Sequence, residues 1–218
     1  MNLIIAGPQG AGKGTQGKLL AEKLGLEHLE TGRMFREAAG ENTALGRQIA
    51  VWMNKGALIP DAVVFRLIEE HLTKEVLKKG FIIDGSPRNL IQAKWFDKML
   101  TRKNARVDKL IFLRLSEKES ILRLSARRVC PKCGKNYNLL SQRPKKDNIC
   151  DICGEELVVR KDDTPQAIAT RLKNFNKETA PMISYYRQKG KVAEINAEES
   201  IENVAKEIRQ KLGIKQDD

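Results

Sequence analysis

The apolar run NLIIAG (2–7) leads directly into GPQGAGKGTQ (7–16), and a helical pattern starts at Lys13. Strand, glycine loop and helix in that order form a phosphate cradle. Glycines let backbone N–H groups converge on phosphate oxygens, the helix N-terminus adds partial positive charge, and the lysine neutralises the outer phosphates. Gly7, Gly12 and Lys13 match the spacing G-x-x-x-x-G-K-[ST], but Gly14 stands where the pattern wants a hydroxyl and Thr15 follows one place late. A glycine-rich structural turn is the plainer alternative, and the flanking strand and helix argue against it.

The rest of the chain repeats the alternation. Short apolar runs lie at GFIIDG (80–85), DKLIFLRL (108–115) and KVAEIN (191–196), with a weaker one at LEHLE (26–30). They suit buried parallel strands. Helical patterns separate them: Lys13–Leu24, segments within 33–78, Leu90–Leu100, Glu117–Arg128, Pro165–Gln188 and Ser200–Leu212. The expected fold is α/β, a P-loop NTPase-type parallel sheet of five strands with helices on both faces. The interval 129–159 breaks the rhythm with four cysteines, several glycines and no long apolar period, and is expected to be an insert.

The chain has 218 residues, 41% apolar and 31% charged, enough for one sizeable core and a small appended module. No apolar run approaches the roughly 20 residues that span a bilayer, and MNLIIAG lacks the basic flank and cleavage site of a signal peptide. A soluble, cytoplasmic protein without a membrane partner is therefore expected. The net charge of +12 points to an anionic partner, either nucleic acid, a membrane surface or a phosphorylated small molecule, or to a lysine-rich solvated surface.

Cys130-x₂-Cys133 and Cys150-x₂-Cys153, sixteen residues apart, have Cys₄ zinc-ribbon spacing, and a glycine follows each pair. With no histidine nearby, a closed structural Zn²⁺ site is expected, folding an insert too small for its own core. Such a ribbon on a basic chain also suits a nucleic-acid-binding module. Tyr137 is the one aromatic residue of the insert, which leaves little stacking surface for bases.

Arg36, Arg88, Arg123, Arg127, Arg160 and Arg171 sit beside glycines or at segment ends. Planar guanidinium forks there can grip phosphate bidentately, where a surface ion pair would be the ordinary role. Asp84 ends the run FIID, at the carboxyl edge of a central strand beside the phosphate loop. There it can orient Mg²⁺ through water, with Thr15 as a second oxygen, or else serve as a helix cap.

GPxGxGKGT resembles the loop of the adenylate kinase family of nucleoside monophosphate kinases. Five further stretches resemble that family in order and spacing: TGRMFR (31–36), GALIPD (56–61), DGSPRNLIQA (84–93), RLSARR (123–128) and RKDD (160–163). The likeness covers nearly the whole chain and is to the long form with a metal-binding lid. It implies a core (1–29, 61–126 and 161–218), an acceptor-binding insert (30–60) and a zinc-bearing lid (127–160).

It implies phosphoryl transfer from Mg·ATP to AMP, reversibly giving two ADP, with Lys13, Asp84, Arg88, Arg127, Arg160 and Arg171 at the reaction centre. Gly10, Ala11, Gly12, Lys13, Gly14 and Thr15 would hold the donor triphosphate, Arg123 would cover its base, and Arg127 would contact its phosphates. Backbone near Asn136, Tyr137 and Glu199 would border the donor. Thr31, Arg36, Ala57, Leu58, Ile59, Gly85, Ser86, Pro87, Arg88 and Gln92 would form the AMP pocket, with Arg160 and Arg171 bridging both substrates. A related kinase of other base preference is the nearest alternative, and a monomer is favoured with an oligomer left open. The sequence departs from the family where Arg33 replaces the usual Asp, Ser86 the usual Phe and Asn89 the usual Thr.

Overall fold

The computed structural model describes residues 1–55, 57, 59–160 and 163–214. In chain order the elements are β1 (Asn2–Ala6), α1 (Lys13–Leu24), β2 (Glu27–Glu30), α2 (Thr31–Gly40), α3 (Ala44–Asn54), α4 (Asp61–His71), α5 (Lys74–Lys79), β3 (Phe81–Asp84), α6 (Leu90–Arg102), β4 (Lys109–Arg114), α7 (Glu117–Ser125), β5 (Arg127–Val129), β6 (Asn136–Asn138), α8 (Pro165–Asn174), α9 (Ala180–Gln188), β7 (Val192–Asn196) and α10 (Ile201–Lys211). Many helices begin at a residue whose side chain can accept from the exposed first-turn N–H groups: Thr43, Thr73, Asn89, Ser116, Thr164 and Ser200 all do so.

All five expected strands join one sheet in the order β2-β3-β1-β4-β7, and every neighbouring pair is parallel. The near-continuous apolar character of β1, β3 and β4 follows from burial on both faces. In β1, Ile4 and Ala6 join the cluster that includes Val64 and Ile68 of α4, Phe96 of α6 and Met182 of α9. The alternate residues Leu3 and Ile5 join the opposite cluster, with Leu20 of α1 and Val204 of α10.

Two helical expectations are corrected. The pattern read as Glu117–Arg128 stops at Ser125, because Arg127–Val129 pair antiparallel with Asn136–Asn138, so long-range pairing overrides local propensity. The pattern read as Pro165–Gln188 is interrupted by a π-helical stretch, Phe175–Thr179, just before Pro181. Proline has no N–H to give to the preceding turn, and the wider stretch accommodates the missing bond. Outside the main sheet, residues 127–160 fold on the β5–β6 pair and isolated bridges Val129–Val158 and Ile149–Glu156, around Cys130, Tyr137, Cys150 and Leu157. Among the described residues, no helix is long and apolar enough to cross a membrane.

Candidate active site

β1 delivers the glycine loop to the carboxyl edge of the sheet, where β3 ends at Asp84. Gly12, immediately before α1, has φ 81° and no capping side chain. The left-handed backbone favours glycine, and the uncapped first-turn N–H groups of α1 are left to accept an anion. Lys13 folds back over the loop, its Nζ donating to the Gly7 carbonyl at 2.9 Å and the Pro8 carbonyl at 2.8 Å. Gly14, the residue that breaks the hydroxyl pattern, faces Asp84: a Cβ built there would lie 3.6 Å from Oδ2. Thr15, one place later, is exposed.

Burial works against both charges at this edge. It pulls Lys13 down to about 8 despite the attraction of Asp84, with Arg88, Arg171 and Arg127 adding repulsion. It pushes Asp84 up to about 6, against the pull of Lys13 and with Glu30 adding to the rise. In each case loss of water outweighs the mutual attraction. A phosphate chain would give Lys13 a counter-charge, and a divalent cation would give Asp84 one. These residues therefore fit a metal–polyphosphate ligand better than they fit each other.

The arginines come from distant segments. Asp163, whose side chain is fully enclosed, accepts two hydrogen bonds from Arg127, through Nε at 2.7 Å and through Nη2, and one from Arg171 Nη1 at 3.0 Å. One buried carboxylate thus sets the direction of two guanidinium planes. Arg123 is held by Glu119 at 2.7 Å and by the Ala197 carbonyl at 2.8 Å. Arg36 Nη2 donates to Glu30 at 2.9 Å, and Arg88 Nε donates to the Gly85 carbonyl at 2.7 Å. All of these arginines, with Arg160, Lys13 and Asp84, line one cleft of about 1540 Å³.

Residues 129–138 of the cysteine segment also line that cleft. The sulfurs of Cys130, Cys133, Cys150 and Cys153 lie within 4.8 Å of one another, with Cys130–Cys153 at 3.3 Å and Cys133–Cys150 at 3.5 Å. A tetrahedral ion with metal–sulfur bonds of about 2.3 Å holds its sulfurs roughly 3.8 Å apart, so the four thiols fit a four-coordinate metal. Tyr137 is buried behind them, its hydroxyl donating to Cys150 Sγ at 3.6 Å and accepting from Asp151 N at 2.8 Å. Its ring belongs to the interior of the segment. Asn136 and Glu199 are exposed, and both line the cleft.

Residues 5–191 match the family model described as adenylate kinase. The chain belongs to the adenylate kinase family. An adenylate kinase of Caldanaerobacter subterraneus subsp. tengcongensis is 41% identical over 219 residues, spanning 100% of this chain and 99% of the relative. One from Archaeoglobus fulgidus is 44% identical over 208 residues, 95% and 96% of the two chains. A third, from Clostridium botulinum, is 40% identical over 213 residues, 98% and 99%.

Of the residues that the family likeness assigns to AMP, Arg36, Gly85, Ser86, Pro87 and Arg88 line the cleft. Thr31 is fully buried and donates to the Asp84 carbonyl at 2.9 Å. Gly85 sits against that hydroxyl at φ 87°, and a Cβ there would come within 2.6 Å of it, so only glycine fits. Gln92 is buried, with Oε1 accepting from Arg88 N at 2.7 Å and Nε2 donating to Asp61 at 2.8 Å. Ala57 and Ile59 are half-buried, and Leu58 lies outside the described residues.

Two departures from the adenylate kinase pattern acquire structural roles. Asn89 caps α6 by accepting from Gln92 N at 2.8 Å, and Ser86 Oγ donates to Gln92 Oε1 at 3.4 Å. Arg33 is exposed and pairs with Glu37 at 3.7 Å, a solvated ion pair of little weight. Sequence reading assigned no role to Asp163 or Asp61. Asp163 closes the RKDD stretch (160–163) and Asp61 closes GALIPD (56–61), so both lay within quoted motifs. Their partners, which apart from Arg171 lie 28 to 36 residues away, were not legible there.

Proposed function

We propose that the chain is an ATP:AMP phosphotransferase whose donor triphosphate lies along Gly10–Thr15 and whose acceptor lies beside Gly85–Arg88. The observation that carries this reading is the convergence of Lys13, Asp84 and six arginines on one cleft at the carboxyl edge of a parallel sheet, in a member of the adenylate kinase family. Phosphoryl transfer asks for positioning and charge neutralisation rather than covalent chemistry, and that is what these groups supply. Lys13 leaves the Gly7 and Pro8 carbonyls for the outer phosphates. Arg127 and Arg171, aimed by Asp163, flank the transferred group with Arg88 and Arg160, while Arg123 covers the donor base. Mg²⁺ held through water on Asp84, with Thr15 nearby, would neutralise phosphate oxygens when bound.

The same reading divides the chain into a core, an acceptor-binding insert at 30–60 and a lid at 127–160. Zn²⁺ on the four cysteines holds the lid in shape without touching phosphate. Burial of Tyr137 leaves the lid without an exposed aromatic ring among its described residues, which favours a nucleotide substrate over a nucleic-acid partner. A cytoplasmic monomer is consistent with this role. Turnover measured across NTP donors and NMP acceptors tests the assignment. The expected result is ATP with AMP preferred over GMP by at least about tenfold in kcat/KM. Absence of ATP–AMP turnover would overturn the reaction, and equal use of AMP and GMP would overturn the acceptor assignment.

A further inference from the structure

A carboxamide can face either adenine or guanine, because turning it over exchanges its oxygen and its NH₂. Adenine offers an amino donor beside the N1 acceptor, whereas guanine offers the O6 acceptor beside an N1–H donor. Gln92 alone therefore cannot choose between them. Here its two ends are already committed. Arg88 N is a donor and meets Oε1 at 2.7 Å; the Asp61 carboxylate is an acceptor and meets Nε2 at 2.8 Å. Only one orientation of the amide satisfies both. One N–H of Nε2 remains for a ligand, since Oε1 also accepts from Ser86 Oγ at 3.4 Å.

Asp61 opens α4 and is itself held. The same Oδ1 accepts from Asn89 Nδ2 at 3.0 Å, while Asn89 Oδ1 caps α6 by accepting from Gln92 N at 2.8 Å. Asparagine at 89 thus does two things with one side chain, capping the helix and steadying the acid. A threonine there keeps an oxygen for the cap and lacks the amide arm. From this closed set we infer that Asp61, steadied by Asn89, is a positioning residue that sets acceptor-base selectivity by fixing the polarity of the Gln92 amide.

The inference rests on the reading of Gln92 as a group that faces the acceptor base. With the nucleotide's phosphate gripped by arginines, the base cannot shift to suit a turned amide. A fixed amide then rejects the base of opposite polarity, since a mismatch leaves buried groups unpaired. The helix pair does not depend on Asp61, because Phe65 of α4 stacks on Trp95 of α6 with centroids 4.1 Å apart.

The test is the ratio of kcat/KM for AMP to that for GMP, with melting curves taken alongside. In Asp61→Ala the ratio is expected to fall about tenfold, through the KM of AMP more than through kcat, with the KM of ATP unchanged. Asp61→Asn keeps an accepting oxygen and should recover much of the ratio. Asn89→Thr keeps the cap, folds if Asp61→Ala does not, and should lower the ratio by a smaller factor. A purely structural role would lower AMP and GMP use in parallel, and an unchanged ratio in the folded variants overturns the inference. Loss of the acceptor reading itself is distinguishable, because it appears as equal AMP and GMP use by the unaltered protein.

Discussion

The parallel sheet and the cysteine-bearing segment 127–160 solve the same problem with different means. The sheet buries Leu3, Ile4, Ile5, Phe81, Ile82 and Ile83 at 1% exposure or less, between helices on both faces. Each such side chain contributes about 1.5–3 kcal/mol on burial, and there are many. Residues 127–160 bury only Tyr137, Pro144 and Leu157 beside two of the cysteines. Three such side chains fall well short of the entropy of ordering a segment that long. The missing constraint fits a four-thiol cluster, which a bound metal would turn into a cross-link between two turns. The cleft between them follows a third rule, since the burial of Lys13 and Asp84 opposes their charges and thereby favours ligand over empty site.

The contrast breaks first at the sheet. Phe81 is fully buried, with its ring edge-on to Phe96 at 6.1 Å. Phe81→Ala should cost about 3–5 kcal/mol in denaturant unfolding of the whole protein, and a cost below 1 kcal/mol would mean the sheet is not the main source of stability. Next come the charges of the cleft. Lys13→Ala and Arg88→Ala should each reduce turnover on the order of 10²-fold or more with little change in melting temperature. Full activity in either variant would sink the site assignment.

Chelation of the metal, or Cys150→Ala, sharpens the comparison from the other side. Either should lower the unfolding temperature and strip amide-exchange protection from 127–160 while leaving that of β1 and β3 in place. Metal analysis should find about one zinc per chain, since four thiols close one tetrahedral site. Unchanged stability after complete metal removal would refute a structural ion.

A smaller effect follows from pH. Asp84 must be ionised and Lys13 charged to meet metal and phosphate, so kcat/KM should fall below about 6 and above about 8. Stability moves oppositely. The folded state holds the Asp84 proton more tightly than the unfolded chain, so the contribution present at low pH is lost as pH rises through about 6. Lys13 loses its proton more easily when folded, so its penalty is relieved as pH rises above about 8. A flat kcat/KM between pH 5 and 9 would contradict these assignments. Smallest of all is Arg33→Asp, which should cost only tenths of a kcal/mol, by placing two acids one helical turn apart at 33 and 37. The Mg²⁺ requirement should tighten or stay as it is. A clear loss of activity would give Arg33 a role of its own, such as a contact with phosphate.

By itself the sequence determined the five strands of the sheet, the glycine loop ahead of α1 and the paired cysteine knuckles. These signals are local: short apolar runs, glycines at short spacing, and two residues between thiols. It also showed which arginines belong to motifs: Arg36, Arg88, Arg123, Arg127 and Arg160 stand in short quoted stretches, whereas Arg171 stands in none. Only the tertiary structure decided that Asp163 gathers Arg127 from 36 residues away, that Asp61 and Arg88 fix the amide of Gln92, and that Tyr137 faces the interior of its segment. It also ended α7 at Ser125, where pairing with Asn136–Asn138 replaces the next helical turn. Hydrogen bonds between distant segments have no period along the chain, and the geometry that makes one carboxylate serve two partners exists only after the core has brought them together.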